Sequence, residues 1–236
     1  MLGLLKTCEE GEEPDLDKLR TEVDRIGDPN EQDLIQHVTV PEPITYSSGK
    51  LGPRAIVLDC GVKYGIVRNL LSRGWEVVRV PASFTASEIL EMKPSAVVIS
   101  NGPGDPTKAV NVIESARGII DDGLPVIGIC LGTQIISLAL GASTYKLKYG
   151  HRSQNQPVLD LRTGRCYITS QNHGFAIDKA SLNGTALEVS FLNANDQTVE
   201  GIKHTSSPCA GVQFHPEASP GPNDTQFLFD ELLKPR

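Results

Sequence analysis

Cys130 stands in the run Val126-Ile127-Gly128-Ile129-Cys130-Leu131-Gly132-Thr133-Gln134, between two glycines and where an apolar stretch stops. Small flanking residues permit the sharp strand-to-helix turn that holds a nucleophile proud of a sheet, so the pattern is the thiol counterpart of the G-x-S-x-G elbow. A cysteine at a helix N-terminus also faces unpaired backbone N–H groups and the positive end of the helix dipole, which favour thiolate over thiol. The competing reading is a structural cysteine packed between strand and helix. A second glycine at 132 and a histidine far downstream favour the nucleophile.

A cysteine nucleophile needs a base, and the chain offers His37, His151, His173, His204 and His215. His215 follows Gly211-Val212-Gln213-Phe214 and precedes Pro216-Glu217. In an extended chain, residues two apart face the same side, which places Glu217 to hold one imidazole nitrogen while the other faces the thiol. His173, within Ser170-Gln171-Asn172-His173-Gly174-Phe175, is the rival base and ranks second for want of a nearby acidic orienter. Asn101-Gly102-Pro103-Gly104-Asp105-Pro106 lacks side chains at two positions, so its backbone N–H groups can approach a substrate oxygen closely, as an oxyanion hole requires. Its alternative meaning is a tight turn ending a strand.

The elements that must carry these residues are legible as alternating patterns. Strands are predicted over 54–59, 76–80, 96–100 and 126–129, and helices over 63–72, 85–92, 109–121 and 133–140. Strand-helix repetition predicts an α/β fold: an open, mostly parallel sheet with helices on both faces, its site at the C-terminal ends of the strands. The glycine loop and the Cys130 elbow both fall at such ends. The remainder, rich in Thr, Val and Ile with frequent turns, predicts an antiparallel extension. The turn Asp59-Cys60-Gly61-Val62-Lys63-Tyr64-Gly65 matches neither G-x-G-x-x-G nor G-x-x-x-x-G-K-[ST], which disfavours a nucleotide site.

Charge divides the chain near residue 50. Residues 1–50 carry twelve acidic side chains against five basic ones, whereas the rest balances at seventeen of each, giving the total of -7. Pro41, Pro43, Gly49, Gly52 and Pro53 punctuate the junction. The division is therefore a 1–50 acidic arm and linker, with a short solvated helix over 15–25, and a 51–236 catalytic domain. Neither part has the basic excess of a nucleic-acid binder. No apolar run approaches the ~20 residues that span a bilayer, and the start carries no signal-peptide pattern. Five scattered cysteines among 236 residues suit reduced thiols in a cytoplasm rather than a disulfide framework. No C-x-x-C pair is present, and no zinc or other metal site is expected.

Gly128 to Gln134, His215-Pro216-Glu217 and Ser100 to Pro106 together resemble the class I (triad) glutamine amidotransferases. Lys148 to Pro157, Thr169 to Ala176 and His215 to Asp224 narrow the resemblance to the glutaminase half of the carbamoyl-phosphate synthetase small subunit, over about 50–236. The resemblance implies a flavodoxin-like amidotransferase fold and a glutaminase whose ammonia feeds a synthetase large subunit, in a heterodimer or larger assembly, for the arginine and pyrimidine pathways. It implies Cys130 as nucleophile, His215 as base and Glu217 as orienter. Backbone N–H groups of Leu131 and Gly102 match the oxyanion contacts, while Gly104, Gln134, Asn172, Gly174 and Phe175 match positions that hold L-glutamine. No cofactor is implied in this chain; ATP and magnesium are expected only on the partner synthetase subunit. A free-standing amidotransferase or cysteine amide hydrolase, and a non-catalytic module of the same fold, are the alternatives. In the family a separate N-terminal domain precedes the region matched here, and histidine is common where this chain has Thr133, a difference expected to tune activity rather than abolish it.

Overall fold

The computed structural model describes residues 4–47, 49 and 51–233. Lys50, at the charge boundary, lies outside them. The core is built from four short apolar strands that follow one another along the chain with helices between: β2 (Arg54–Asp59), β3 (Glu76–Pro81), β4 (Ala96–Ile99) and β5 (Val126–Ile129). Their side chains sort with period two. Ala55, Val57, Val77, Val98, Ile127 and Ile129 pack on one face against α2 (Tyr64–Ser72) and α6 (Leu228–Leu232). Ile56, Leu58, Val78, Val80, Val97 and Ile99 pack on the other, against α3 (Ala86–Glu91), α4 (Val110–Asp121) and α5 (Leu131–Ala139). A strand buried on both faces must be apolar at every position, which is why these segments read as continuous runs.

The helices follow from their own patterns. α4 buries Val112, Ser115, Ala116, Ile119 and Ile120, an i, i+3, i+4, i+7, i+8 stripe. α3 starts in a capping box in which Thr85 and Glu88 satisfy each other's backbone N–H groups. In α5 all residues but Leu138 are buried, so this helix lies inside the molecule rather than on it.

Ten strands form one sheet in the order β1-β3-β2-β4-β5-β10-β9-β7-β6-β8. The added strands are β1 (Ile44–Tyr46), β6 (Thr144–Asp160), β7 (Cys166–Ile177), β8 (Leu187–Asn193), β9 (Val199–His204) and β10 (Cys209–Val212). The α/β expectation holds, but a mostly parallel sheet does not describe the whole. Four pairings are parallel, joining β3, β2, β4, β5 and β10, and six are antiparallel. The difference is physical. Beyond α5 the chain returns through turns rather than crossover helices, and β6 and β7 are long enough, at 17 and 12 residues, for their hairpin to make up much of the second half.

The acidic arm is only partly solvated. α1 (Leu16–Asp24), capped by Asp15, buries no residue. From residue 34 onward the chain packs on the domain: Ile35 joins the core, Val40 N–H donates to Asp59 Oδ2 at 2.8 Å, and Ala82 N–H donates to Thr39 Oγ1 at 2.9 Å. β1 then pairs antiparallel with β3. Among the described residues no helix is long and apolar enough to cross a membrane.

Candidate active site

Cys130 is the last residue before α5 and takes φ 54°, a left-handed conformation that costs a non-glycine residue of order 1–3 kcal/mol and persists only where its surroundings enforce it. The surroundings here are backbone. A Cβ on Gly128 would lie 2.5 Å from the Gly132 carbonyl carbon, and a Cβ on Gly132 would lie 2.0 Å from the Ile99 oxygen. Cys130 N–H donates to Val212 O at 2.8 Å, tying the elbow to β10, which runs parallel to β5. Thr133 N–H and Gln134 N–H both turn back to Cys130 O, at 3.1 and 3.4 Å. The N–H groups of Leu131 and Gly132 begin the helix, where none has an intrahelical acceptor. Thr133 places its hydroxyl 2.6 Å from Val212 O and 2.9 Å from Gly128 O, a clamp beneath the elbow.

β10 delivers the partner residues to the same edge. His215 Nδ1 is 2.7 Å from Glu217 Oε1, and both side chains are buried. The contact is not made along an extended strand, as the two-residue spacing predicts. β10 ends at Val212, and a turn closed by Ala218 N–H on His215 O folds Glu217 under the ring. Lys63, at the start of α2, lies 3.0 Å from Glu217 Oε1 and donates to Ala218 O at 2.7 Å. Burial opposes the imidazolium, but the Cys130 sulfur and the Glu217 carboxylate outweigh it and push His215 up to about 10. Glu217, which burial alone would push up, is held below its ordinary value by His215 and Lys63. The arrangement is an ion pair in waiting, with thiol and imidazole together and a carboxylate behind the ring.

These groups open on a cavity of about 700 Å³. Its wall includes Cys130 and His215, with Gly102, Gly104 and Leu131 on the side of the β4 and β5 ends. Gln134, Asn172, Gly174 and Phe175 line the other side, and Glu217 sits behind His215 without reaching the surface of the cavity. Thus nine of the ten residues singled out from the sequence border one space and the tenth supports it. Gly102 has no room for a side chain: a Cβ would meet Cys60 O at 2.1 Å and Leu131 Cδ2 at 2.7 Å, which holds the two backbone segments together at the cavity floor.

His173 also lines the cavity, but its Nδ1 lies 2.8 Å from Phe175 O, which takes the single N–H of the neutral ring, and its Nε2 lies 3.1 Å from Gln171 Oε1. Burial pushes it down to about 4, so it is neutral. A carboxylate does lie nearby, Glu200 at 3.7 Å, brought across from β9. Glu200 pairs more closely with His151, at 3.3 Å, and with Asp196 at 2.9 Å on the other nitrogen this lifts His151 to about 9. His151, His173 and Glu200 bring ligand atoms within 4.8 Å of one another, the one such group among the described residues that could hold a metal ion. The sequence shows no ligand spacing there because three separate strands supply the atoms.

Three neighbours have no signal in the sequence. Lys63 meets Glu217 across a long separation in the chain. Asn101 accepts from Lys63 N–H at 2.9 Å and donates to Gly61 O at 3.0 Å, which fixes the α2 start beside the glycine loop. Gln213 donates to Cys130 Sγ at 3.6 Å.

The same fold recurs in solved proteins. A putative GMP synthase component from Thermoplasma acidophilum superposes with TM-score 0.66 at 24% identity, over 78% of this chain and 94% of that one. A glutamine amidotransferase from Thermotoga maritima gives TM-score 0.57 at 17% identity, over 78% and 85%. These show the fold. In sequence, the carbamoyl phosphate synthase small chain of Methanocaldococcus jannaschii is 50% identical over 98% of this chain and 66% of its own length. That of Methanopyrus kandleri is 49% identical over 99% and 64%. The chain therefore spans just under two thirds of the length of these relatives. The profile of the glutamine amidotransferase class-I family matches residues 56–235, from β2 through the cysteine elbow and the His215 turn to α6, and the chain belongs to that family.

Proposed function

We propose that this chain is the glutaminase of a carbamoyl-phosphate synthetase, releasing ammonia from L-glutamine for a large subunit that makes carbamoyl phosphate. The observation that carries the reading is that Cys130 and His215, with Glu217 behind the ring, share one cavity with the glycine loop, in a chain about half identical to proteins named carbamoyl phosphate synthase small chain. The setting is the cytoplasm, and the partners are glutamine and the large subunit, in a heterodimer or larger assembly.

The geometry suits a thioester route. Cys130 sulfur attacks the side-chain amide carbon of glutamine, and its proton passes to His215. The oxyanion is held by the N–H groups of Leu131 and Gly102. Collapse breaks the C–N bond, His215 returns the proton to the departing ammonia, and a thioester remains. Water, deprotonated by the same ring, attacks the thioester and regenerates the thiol with glutamate as product. Glu217 holds the imidazole orientation and the positive charge it takes up twice in the cycle. Gly104, Gln134, Asn172, Gly174 and Phe175 hold the rest of the substrate. The hydrolysis needs no cofactor in this chain; ATP and magnesium belong to the synthetase partner's step.

Glutamate release from glutamine, measured for the chain alone and with a synthetase large subunit, tests the reading. Slow hydrolysis accelerated by the large subunit is expected. Fast hydrolysis indifferent to it points to a free-standing hydrolase, and none under either condition to a non-catalytic module.

A further inference from the structure

We propose that Gln213 is a positioning residue for the nucleophile: Gln134 holds its side-chain amide so that an N–H is aimed at the Cys130 sulfur. The proposal rests on the glutaminase reading for its meaning, though the contact stands without it. Gln134 Nε2 donates to Phe175 O at 2.9 Å and to Gln213 Oε1 at 2.9 Å, and Gln213 Nε2 donates to Cys130 Sγ at 3.6 Å. An amide nitrogen carries two hydrogens, and those of Gln134 are both committed. With Gln213 Oε1 occupied as an acceptor, its nitrogen can only face the sulfur. The flipped amide would set its NH₂ against that of Gln134, so the network admits a single orientation.

Backbone bonds fix where this amide sits. Gln213 follows Val212, whose oxygen accepts from Cys130 N–H at 2.8 Å, and Gln213 N–H donates to Glu200 O at 2.9 Å. Gln213 is fully buried and Gln134 almost so, leaving water little access to either. An N–H donated to a sulfur anion favours the anion over the neutral thiol, and a hydrogen bond to a charged group is stronger than a neutral one. The other groups arranged about the sulfur are the His215 imidazole, with Glu217 and Lys63 behind it, and the α5 N-terminus.

A second consequence concerns Gln134. Both its hydrogens are used inside the protein, so what it can offer a ligand is its Oε1 acceptor. Glutamine must therefore present a donor there, its ammonium or its amide NH₂. A donor bound at Oε1 polarises the Gln134 N–H groups and strengthens the chain of hydrogen bonds that ends on sulfur. Substrate seating and nucleophile activation are joined through two amides.

The test uses the full chain, with Gln213→Met, which keeps the length of the side chain but has no N–H, and Gln213→Leu. Thermal melting first establishes which variants fold. Alkylation of Cys130 by iodoacetamide is followed by peptide mass mapping at pH 6.5 and pH 9.5. The folded variants are expected to react about tenfold more slowly at pH 6.5, the worth of one charge-assisted hydrogen bond, and to approach the wild-type rate at pH 9.5. Wild-type rates at pH 6.5 in folded Gln213→Met overturn the proposal, and so does an equal loss at both pH values, which is the mark of altered packing or access. In glutamine hydrolysis, kcat should fall by a larger factor than KM rises. A wild-type chain that alkylates at Cys130 but releases no glutamate, with or without a large subunit, refutes the glutaminase reading and leaves the alkylation comparison to decide on Gln213.

Discussion

Replacing Glu217 by glutamine removes one charge and almost no volume, so its effect isolates what the carboxylate does for His215. Glu217 Oε1 lies 2.7 Å from Nδ1, and its side chain is fully buried. With charge centres about 4 Å apart and an effective dielectric of about 20, the attraction to an imidazolium is about 4 kcal/mol. The amide oxygen still accepts from Nδ1–H, retaining about 1 kcal/mol. The net loss of about 3 kcal/mol corresponds to a fall of roughly a hundredfold in kcat/KM. Lys63 is left beside a neutral amide but keeps Ala218 O and is partly open to solvent, so it adds little to the cost.

The pH profile supplies the sharper check. His215 is raised to about 10, in part by Glu217, so the carboxylate helps the ring hold the proton it takes up. Without the carboxylate the ring loses its proton at lower pH, and the alkaline limb of kcat/KM should move down. Glutamate release across pH 6 to 10, with the large subunit present, measures both quantities. A loss under about fivefold with an unmoved alkaline limb would refute the claim that Glu217 sustains the imidazolium. A loss as complete as that of Cys130→Ser would show that orientation, not charge, is its main contribution.

Other outcomes follow from the same structure. A glutamine-shaped electrophile should modify Cys130 in preference to the other four thiols, as read by peptide mapping: Cys60 and Cys209 are buried and burial pushes their thiols up, while exposed Cys8 and Cys166 have no such cavity. Equal labelling of Cys166 would remove Cys130 as nucleophile. His151 is raised from 6.5 to about 9 chiefly by Glu200, so its stabilising contribution is complete below pH 6.5 and is lost as pH rises through 9. Chemical denaturation should show about 2 kcal/mol less stability at pH 10 than at pH 7, solvent screening on the Asp196 side keeping it below the full linkage value, and His151→Asn should flatten that difference. Gly132→Ala forces a Cβ to 2.0 Å from Ile99 O, backbone against backbone. A cost of about 3 kcal/mol is expected, seen as a melting temperature about 10 °C lower; an unchanged melting temperature would mean that the elbow can relax.

How far the sequence discloses this molecule depends on the range of the interaction. The parallel strands are legible because burial on both faces forces apolar residues at consecutive positions, and α4 because its stripe repeats at helical spacing. Cys130, His215 and Glu217 are legible because local backbone chemistry marks them: two glycines at the elbow and a proline-led turn after the histidine. Contacts between distant positions leave no such mark. Lys63 with Glu217, Gln213 with Cys130 and Glu200 with His151 arise only once β5, β6, β9, β10 and α2 are assembled. The arm is legible only in its first half, where α1 is solvated. Its composition reads as solvated, yet Ile35, the Val40 N–H and the β1 pairing are enough to attach its second half to the domain.

The strain at Cys130 ties these observations together. A left-handed cysteine is unfavourable by itself, and nothing in its side chain pays for the conformation; the neighbouring backbone imposes it. Gly128 lets the first turn of α5 fold back over β5, Gly132 lets that turn lie against Ile99 at the end of β4, and Gly211 lets β10 approach Thr133, where a Cβ would come within 2.7 Å of the hydroxyl. Each glycine thus closes a different wall of the same joint. The closure places Val212 against Cys130 N–H, and so sets Gln213 and His215, one and three residues later, at the sulfur and the cavity. The glycines around the nucleophile are therefore not part of the chemistry; they set the distance between three strands and a helix, and the chemistry depends on that distance. Ala218 and Ser219, both at φ 52°, repeat the pattern on the far side of the site, where the turn brings Ala218 O to Lys63 and Glu217 beneath His215. Positive-φ residues at both turns, enforced by the surrounding backbone, let the nucleophile and its base be held by backbone rather than by side-chain packing.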